Sequence, residues 1–230
     1  MIDLQKKYNY PNVSIKEYNQ DGLEITFGDE YILKVDGVQW MTYNPYTHNQ
    51  GFNQVFSHYY IAEGHCICTG LGFGIRERWL LNKPEVTKIT VIENEKRIID
   101  YHQKHNPDLC EKIDIVHCNA RDYVGECDTL LLDHYEGMDV VGFSLDAYEI
   151  QKNISSKKTW FWTFETYLSY ISFFWSNRSN MFYDYEDLRS IDNFINLPRI
   201  GSGELIRIMK VYYYHNSHIS SLLDSIYYLD

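Results

Sequence analysis

The sequence lacks an excess of basic residues. Lysine and arginine number 21 of 230 residues against 32 aspartate and glutamate residues, which gives a formal net charge of -11 at pH 7. A protein that binds nucleic acid through its phosphates usually has a basic face, because counterion release supplies much of the affinity. The charge balance therefore argues against a nucleic-acid partner and favours a small-molecule one.

Long apolar runs are also missing. No segment contains the roughly 20 consecutive apolar residues that a membrane-spanning helix needs. The first residues, MIDLQKKYNYPN, include no apolar core of a signal peptide. We therefore expect no membrane partner and a cytoplasmic location.

Cysteine is sparse and its number is odd. The five cysteines are Cys66, Cys68, Cys110, Cys118 and Cys127, and most of them lie in apolar runs. This pattern indicates free thiols in a reducing compartment. No second Cys or His pair stands at ligand spacing from the first two, so no metal site is predicted.

The composition that is present suits one main core with a small appendage. Hydrophobic residues make up 44% of the chain, which is ordinary for a globular protein. Residues 1–60 predict a β-hairpin element and a connecting helix. Its strands are expected at 13–18, 23–27, 31–35 and 38–43, because Asp-Gly dipeptides separate alternating runs. Residues 61–230 are expected to form the second unit, which is the main domain.

Apolar runs alternate with helical patterns from residue 64 onward. Strands are predicted at 66–69, 88–93, 112–118, 128–133 and 157–164, and helices at 75–82, 95–105, 120–124 and 144–154. Helices are also expected across 166–175 and 185–195, and a late strand across 204–214. Such alternation is typical of a parallel sheet with right-handed crossovers. The fold class is therefore α/β, with a Rossmann-like sheet and a small antiparallel element before it.

A glycine-rich turn, TGLGFG, follows the first strand of this pattern. Gly70, Gly72 and Gly74 let the backbone turn tightly and let a ligand approach a helix N-terminus. The spacing is shorter than that of dinucleotide-binding turns, which suits a nucleoside without a pyrophosphate. Glu93 ends the second strand about 20 residues later, where a carboxylate can accept hydrogen bonds from both ribose hydroxyls.

These motifs resemble the class I S-adenosylmethionine-dependent methyltransferase fold, and more narrowly its spermidine synthase-like branch. The resemblance covers roughly residues 23–137 and includes the glycine turn, TVIENE, CNARDY and LLLDHYEG. The hairpin YILKVDGVQWMTY and the helix FNQVFSH also resemble family segments. The resemblance implies S-adenosylmethionine or its decarboxylated form as the cofactor, and a homodimer.

The resemblance also implies the site residues. The cofactor would contact Gly70, Leu71, Gly72, Gly74, Glu93, Asn94, Asn119, Ala120 and Asp133. Asp133 and Glu136 would be the catalytic carboxylates, and the acceptor would lie against Gln39, Gln54, His58, His134 and Tyr135. The role of Asp133 stays open between deprotonating an amine and contacting the amino group of the cofactor.

Two departures from the family bear on the acceptor. Phe52 and Gln54 stand where polyamine synthases have a tyrosine and a glutamate. An amide in place of a carboxylate removes the charge that would attract an ammonium group. We expect a transferase that moves a methyl or aminopropyl group to a small molecule. The alternatives are a non-transferring nucleoside-binding protein and a nucleic-acid methyltransferase.

Overall fold

The computed structural model describes residues 10–11, 13–45, 58–134 and 140–162, and these residues contain two separate sheets. The first is antiparallel, in the order β1-β2-β3-β4: β1 is Tyr18–Gln20, β2 is Leu23–Phe27, β3 is Tyr31–Val35 and β4 is Val38–Tyr43. Asp-Gly turns join β1 to β2 and β3 to β4. All four turn residues have positive φ, as two-residue hairpin turns require.

The first strand is shorter than the sequence predicted. Residues 13–17 were expected in the strand, but β1 begins at Tyr18. The hydroxyl of Tyr101 explains this, because it donates to the carbonyl of Lys16 (3.0 Å) and accepts from its N–H (3.1 Å). The Lys16 backbone is thus bonded to a side chain of the second unit and cannot extend the ladder.

A β-bulge interrupts the pairing of β3 with β4. Lys34 faces Gln39 and Leu33 faces Met41, which leaves Trp40 as an extra residue without a partner. A bulge breaks the strict alternation of side chains between the two faces. Trp40 and Met41 can therefore both face the second unit.

The second sheet is parallel, in the order β7-β6-β5-β8-β9. Its strands are β5 (Gly64–Thr69), β6 (Val86–Glu93), β7 (Asp114–His117), β8 (Gly125–Leu132) and β9 (Ile154–Phe161). The helices are α1 (Ile75–Leu80), α2 (Lys96–His105), α3 (Pro107–Cys110) and α4 (Val140–Asn153). The chain runs outward from β5 to β7 and then returns to β8 on the other side. This is the strand order of a Rossmann-like sheet of the class I methyltransferase type, and the predicted fold class is confirmed.

One predicted helix is wrong. Residues 120–124 form turns and extended chain instead. The Asn119 side chain accepts a hydrogen bond from the N–H of Arg121 (2.9 Å), and its carbonyl accepts one from Asp122 (3.0 Å). An Asn side chain that binds the backbone two residues ahead favours a turn over a helix.

Other predicted boundaries are close. The fifth strand begins at Ile154 rather than at 157, and the helix before it extends from Val140 to Asn153. The helices and the strand predicted beyond residue 165 lie outside the described residues. The connecting helix was predicted over 51–61; residues 58–61 are helical, and 51–57 lie outside the described residues. The division of the chain at residue 60 stays a prediction.

The core joins the two units. Trp79 of α1 is fully buried, stacks on Tyr59 (4.3 Å between centroids) and meets Tyr10 edge-on (4.8 Å). Across the sheets, Arg97 of α2 binds Asp36 in the turn after β3. The antiparallel sheet is therefore held beside the ends of β5 and β6. No helix among the described residues is long and apolar enough to cross a membrane.

Candidate functional site

The glycine turn lies between β5 and α1, at the carboxyl edge of the parallel sheet. Gly70, Gly72 and Gly74 all have positive φ (75°, 49° and 71°), a region that favours glycine. A Cβ at Gly70 would stand 2.4 Å from the carbonyl oxygen of Asp133. The turn therefore packs directly on the backbone at the end of β8, and glycine is required there by both conformation and space.

Glu93 fastens this turn to the end of β6. One carboxylate oxygen accepts from the N–H of Leu71 and the other from the N–H of Glu95, both at 2.7 Å. The side chain is 5% exposed, and burial raises its pKa, while hydrogen bonds from the backbone N–H groups of Glu95, Leu71 and Asn94 oppose the rise. A carboxylate has about four acceptor sites, so Glu93 can also bind a ligand beside these backbone N–H groups.

A cavity of about 270 Å³ opens at this edge, where the chain order of the sheet reverses between β5 and β8. Open α/β sheets bind ligands at this position. All predicted cofactor residues except Gly74 line it: Gly70, Leu71, Gly72, Glu93, Asn94, Asn119, Ala120 and Asp133. Gly74 lies behind the turn, where its Cβ position meets Leu109 and His102.

The antiparallel sheet supplies the roof of this cavity. Leu33, Trp40 and Met41 line it from above, and the sulfur of Met41 lies 2.7 Å from where a Cβ of Gly72 would be. The roof is thus apolar and the floor contains the polar groups. Sequence reasoning missed Trp40 and Met41, because the bulge that turns both toward the cavity cannot be recognised from the alternation pattern.

Asp133 is the second acidic group of the cavity. Its side chain is 25% exposed, on the cavity side. Burial raises its pKa to about 6, which Arg76 counteracts and Glu77 reinforces. A carboxyl group with such a pKa can gain or lose a proton near neutral pH, as general acid–base catalysis requires.

Arg76 and Glu77 form a buried ion pair behind Asp133, with side chains 4% and 1% exposed. The Arg76 Nε and Nη2 atoms donate to one oxygen of Glu77 at 2.9 and 2.6 Å. Nη2 also donates to the carbonyls of Thr69 and Gly70. Sequence reasoning missed Arg76, because the run Arg76-Glu77-Arg78 looks like the charged face of a helix and does not show that the first two side chains are buried.

His134 lies at the edge of the cavity and links three elements. Its Nδ1 is 2.6 Å from the Thr69 hydroxyl and its Nε2 is 2.9 Å from a carboxylate oxygen of Asp146. Asp146 is also bound by Arg121. The Asp146 carboxylate can only accept, so the Nε2–H of His134 donates to it, and the Thr69 hydroxyl also accepts from the N–H of Asp133 (3.1 Å). This chain of hydrogen bonds fixes the backbone that carries Asp133.

The predicted acceptor residues are brought together only in part. His134 lines the cavity, but Gln39 is exposed and shares the face of Lys34, which is opposite to that of Leu33. The structure thus places Gln39 outside the lining of this cavity, and its contact with the acceptor stays a prediction. His58 is fully buried and outside the cavity lining, and burial lowers its pKa well below the usual value, an effect that Arg76 reinforces. Gln54, Tyr135 and Glu136 lie outside the described residues.

A larger groove of about 660 Å³ lies at the opposite end of β8 and β9. Val124, Lys152 and Lys157 border it, and it contains none of the predicted site residues. In a parallel sheet of this kind the amino-terminal ends of the strands are not the ligand-binding edge. The smaller cavity is therefore the candidate site. Within the described residues, no group of three or more His, Cys, Asp or Glu side chains is arranged to hold a metal ion.

Comparison with known proteins gives matches to solved structures only. No protein-family model matches the chain, and no curated protein sequence matches it. Spermidine synthase from Thermotoga maritima is 16% identical, with a TM-score of 0.42 over 64% of this chain and 55% of its own. A protein described as a spermidine synthase, from Corynebacterium glutamicum, is 11% identical, with a TM-score of 0.43 over 62% of this chain and 61% of its own.

A third solved structure belongs to the other group that the sequence resemblance named. It is described as an S-adenosylmethionine-dependent methyltransferase from Methanococcus maripaludis and is 18% identical, with a TM-score of 0.41 over 66% of this chain and 78% of its own. The chain spans little more than half the length of the two spermidine synthases. All three TM-scores are below 0.5, so the fold assignment rests on the strand order and connections described above.

Proposed function

We propose that the chain binds an S-adenosyl nucleoside in the 270 Å³ cavity and transfers a methyl or aminopropyl group from it to a small molecule. One observation carries the proposal. The glycine turn and the Glu93 carboxylate meet on one wall of a roofed cavity at the reversal point of the sheet. A nucleoside needs these two features, a backbone that permits close approach and a carboxylate for the ribose.

Different residues of the cavity would contact different parts of the ligand. Glu93 would accept a hydrogen bond from the ribose hydroxyls, since its carboxylate has acceptor capacity beyond the backbone N–H groups that it binds. Asn119 and Ala120, beyond the end of β7, would border the adenine under the apolar roof. Asp133 would lie on the sulfonium side. The ligand, when bound, supplies an already activated electrophilic carbon.

Asp133 would act on the acceptor or on the amino group of the donor. Its raised pKa suits proton exchange with an amine, and its carboxylate suits an ammonium group. The chain mainly supplies orientation in either role, since holding two reactants in line accounts for much of the rate enhancement of such transfers. We propose that ordinary putrescine is not the acceptor, because Gln54 replaces the carboxylate of the polyamine synthases.

The first test is calorimetric titration with S-adenosylmethionine, its decarboxylated form and methylthioadenosine. Glu93→Ala should weaken binding by about 10 to 150-fold, the effect of losing a hydrogen bond to a charged group. Glu126→Ala is the matched control, because Glu126 is exposed at the opposite end of β8. Equal affinity of wild type and Glu93→Ala, or no binding by either, would overturn the proposal.

The second test is product analysis with both donors against putrescine, other amines and a metabolite extract. Wild type should give a product that Asp133→Asn does not give. Efficient aminopropylation of putrescine would reject the acceptor proposal. Binding without turnover of any acceptor would favour the non-transferring binding protein instead.

We also propose that the chain forms a homodimer through the antiparallel sheet. Its outer strands, β1 and β4, have edges that no other described strand pairs with. Two exposed hydrophobic side chains, Phe27 (37%) and Val38 (53%), lie on the same sheet. Exposed edges and apolar side chains are commonly covered by a second subunit. Sedimentation that shows a monomer at micromolar concentration would reject the dimer.

A further inference from the structure

Arg76 has an unused donor in the wall of the cavity. Its side chain is 4% exposed and its Nη1 atom, which is buried, has no hydrogen-bond partner. The carboxylate of Asp133 is 3.8 Å from Nη1, beyond hydrogen-bond distance. Buried N–H groups are nearly always paired in folded proteins, so this donor at the cavity wall is available to a ligand atom.

The guanidinium is fixed in position by its other contacts. Glu77 binds Nε and Nη2, and the carbonyls of Thr69 and Gly70 bind Nη2. Burial lowers the pKa of Arg76, but Glu77, Cys68 and Asp133 together raise it by more, so the group stays protonated. A rigid guanidinium with one free N–H pair is a preorganised donor for a carboxylate oxygen.

The cavity therefore presents a donor and an acceptor side by side. Nη1 of Arg76 offers protons, and Asp133, close beside it, offers a carboxylate. Glu77 already balances the charge of Arg76, so the Asp133 carboxylate leaves this cluster with a net negative charge. The cluster therefore favours a carboxylate only when an ammonium group accompanies it. It matches a ligand that has an ammonium and a carboxylate on one carbon, which is the α-amino acid group.

We propose that Arg76 binds the α-carboxylate of the donor while Asp133 binds its α-ammonium, so that the chain uses S-adenosylmethionine and not its decarboxylated form. The inference rests on the proposed function, because it takes the nucleoside to lie at the glycine turn. It makes Arg76 the residue that decides donor specificity. Methyl transfer then follows as the reaction class, since the decarboxylated donor serves aminopropyl transfer.

The experiment compares three ligands on the full chain by calorimetry at one pH and salt concentration. S-adenosylmethionine should bind about 10 to 150-fold more tightly than its decarboxylated form, the effect of a charge-assisted hydrogen bond. Methylthioadenosine, which lacks the whole amino acid group, reports on the nucleoside site alone. If it binds while the two donors bind equally, or the decarboxylated one more tightly, the inference fails and the proposed function stands. If none of the three binds, both fail.

Arg76→Lys tests the residue itself. The variant keeps the charge but loses the second N–H pair of the guanidinium, so the ratio of affinities for the two donors should fall toward one. General damage to the glycine turn would weaken the binding of both donors equally and leave the ratio of affinities unchanged. A change of the ratio therefore reports contact of Arg76 with the α-carboxylate and not a structural role of Arg76. Arg78→Lys is the matched control, since Arg78 binds Asp108 and Asn106 outside the cavity and its change should leave the ratio as in wild type. An unchanged ratio in Arg76→Lys would overturn the assignment, and the ligand comparison on wild type decides the matter if that variant does not fold.

Discussion

Arg97 of α2 forms a bidentate hydrogen bond with Asp36 of the turn between β3 and β4, and so joins the second unit to the antiparallel sheet. The guanidinium donates to both carboxylate oxygens, at 2.8 and 3.0 Å, and also to the carbonyl of Asp21 in the other hairpin turn (2.9 Å). Asp36 is 70% exposed, so solvent screens the pair. The pair mainly positions the antiparallel sheet, because the planar guanidinium holds both hairpin turns against α2.

The first prediction concerns the pKa of Asp36. The hydrogen bond from Arg97 holds this pKa below its usual value, so the pair contributes stability that is lost as pH falls through the folded-state pKa. In Arg97→Gln the pKa of Asp36 should rise toward the ordinary value, as measured by NMR titration. Lys96→Gln removes the neighbouring pair with Asp100 and should leave Asp36 unaltered. No change of the Asp36 pKa in Arg97→Gln would contradict the contact.

The second prediction separates backbone strain from collision. Gly70 and Gly37 have similar positive φ, 75° and 79°, but a Cβ would meet the Asp133 carbonyl only at Gly70. Gly37→Ala should cost about 1 kcal/mol, the cost of a left-handed backbone conformation. Gly70→Ala should cost several times more and abolish nucleoside binding. Urea denaturation of both variants measures the difference, and equal losses would show that the end of β8 can move away.

The third prediction concerns Asp133. Its pKa is raised to about 6, so the folded state binds its proton more tightly than the unfolded state does. The group therefore reduces stability as pH rises from about 4 to about 6, by an amount of the order of 3 kcal/mol. Asp133→Asn should be more stable than wild type at pH 7 and nearly equal to it at pH 4. Asp122→Asn, at an exposed position, should show no such pH-dependent difference, and a parallel pair of curves for wild type and Asp133→Asn would count against the buried carboxyl.

The fourth prediction concerns His102, which supports the glycine turn from behind. Its Nε2–H donates to the carbonyl of Gly72 (2.8 Å), and burial lowers its pKa to about 4 although that hydrogen bond opposes the shift. The unfolded state protonates near pH 6.5, so stability falls as pH drops from about 6.5 to about 4, by an amount of the order of 3 kcal/mol.

Two substitutions of His102 test this. His102→Leu should lose the dependence on pH in that range and weaken nucleoside binding, because the Gly72 carbonyl has no donor. His102→Gln should lose the same pH dependence but retain more of the affinity, since its amide can donate. Calorimetry and urea denaturation measure the two effects. Equal affinities of the two variants would show that the hydrogen bond to Gly72 does not hold the turn.

The sequence predicted the parts of the fold that depend on local chemistry. Asp-Gly dipeptides marked the two hairpin turns, and the apolar runs before Gly70 and ending at Glu93 marked β5 and β6. These features depend on residues that are adjacent in sequence or alternate regularly. The carboxyl edge of the sheet followed from them, and with it the cavity-lining glycines and carboxylates.

The sequence could not predict the features that depend on contacts between distant segments. β1 is short because the hydroxyl of Tyr101, 85 residues away, binds the backbone of Lys16. The helix at 120–124 is absent because the side chain of Asn119 forms a turn. Gln39 was assigned to the site by resemblance alone, whereas its face of the sheet is fixed by its pairing with Lys34.

The bulge at Trp40 has a consequence for insertions and deletions. Every other residue of β4 that pairs with β3 would keep its partner if Trp40 were deleted, because Trp40 has none. Deletion of Trp40 would thus remove its indole from the roof of the cavity without shifting the register of the hairpin. Length variation at this one position can therefore change the size of the cavity, while the scaffold around it stays the same.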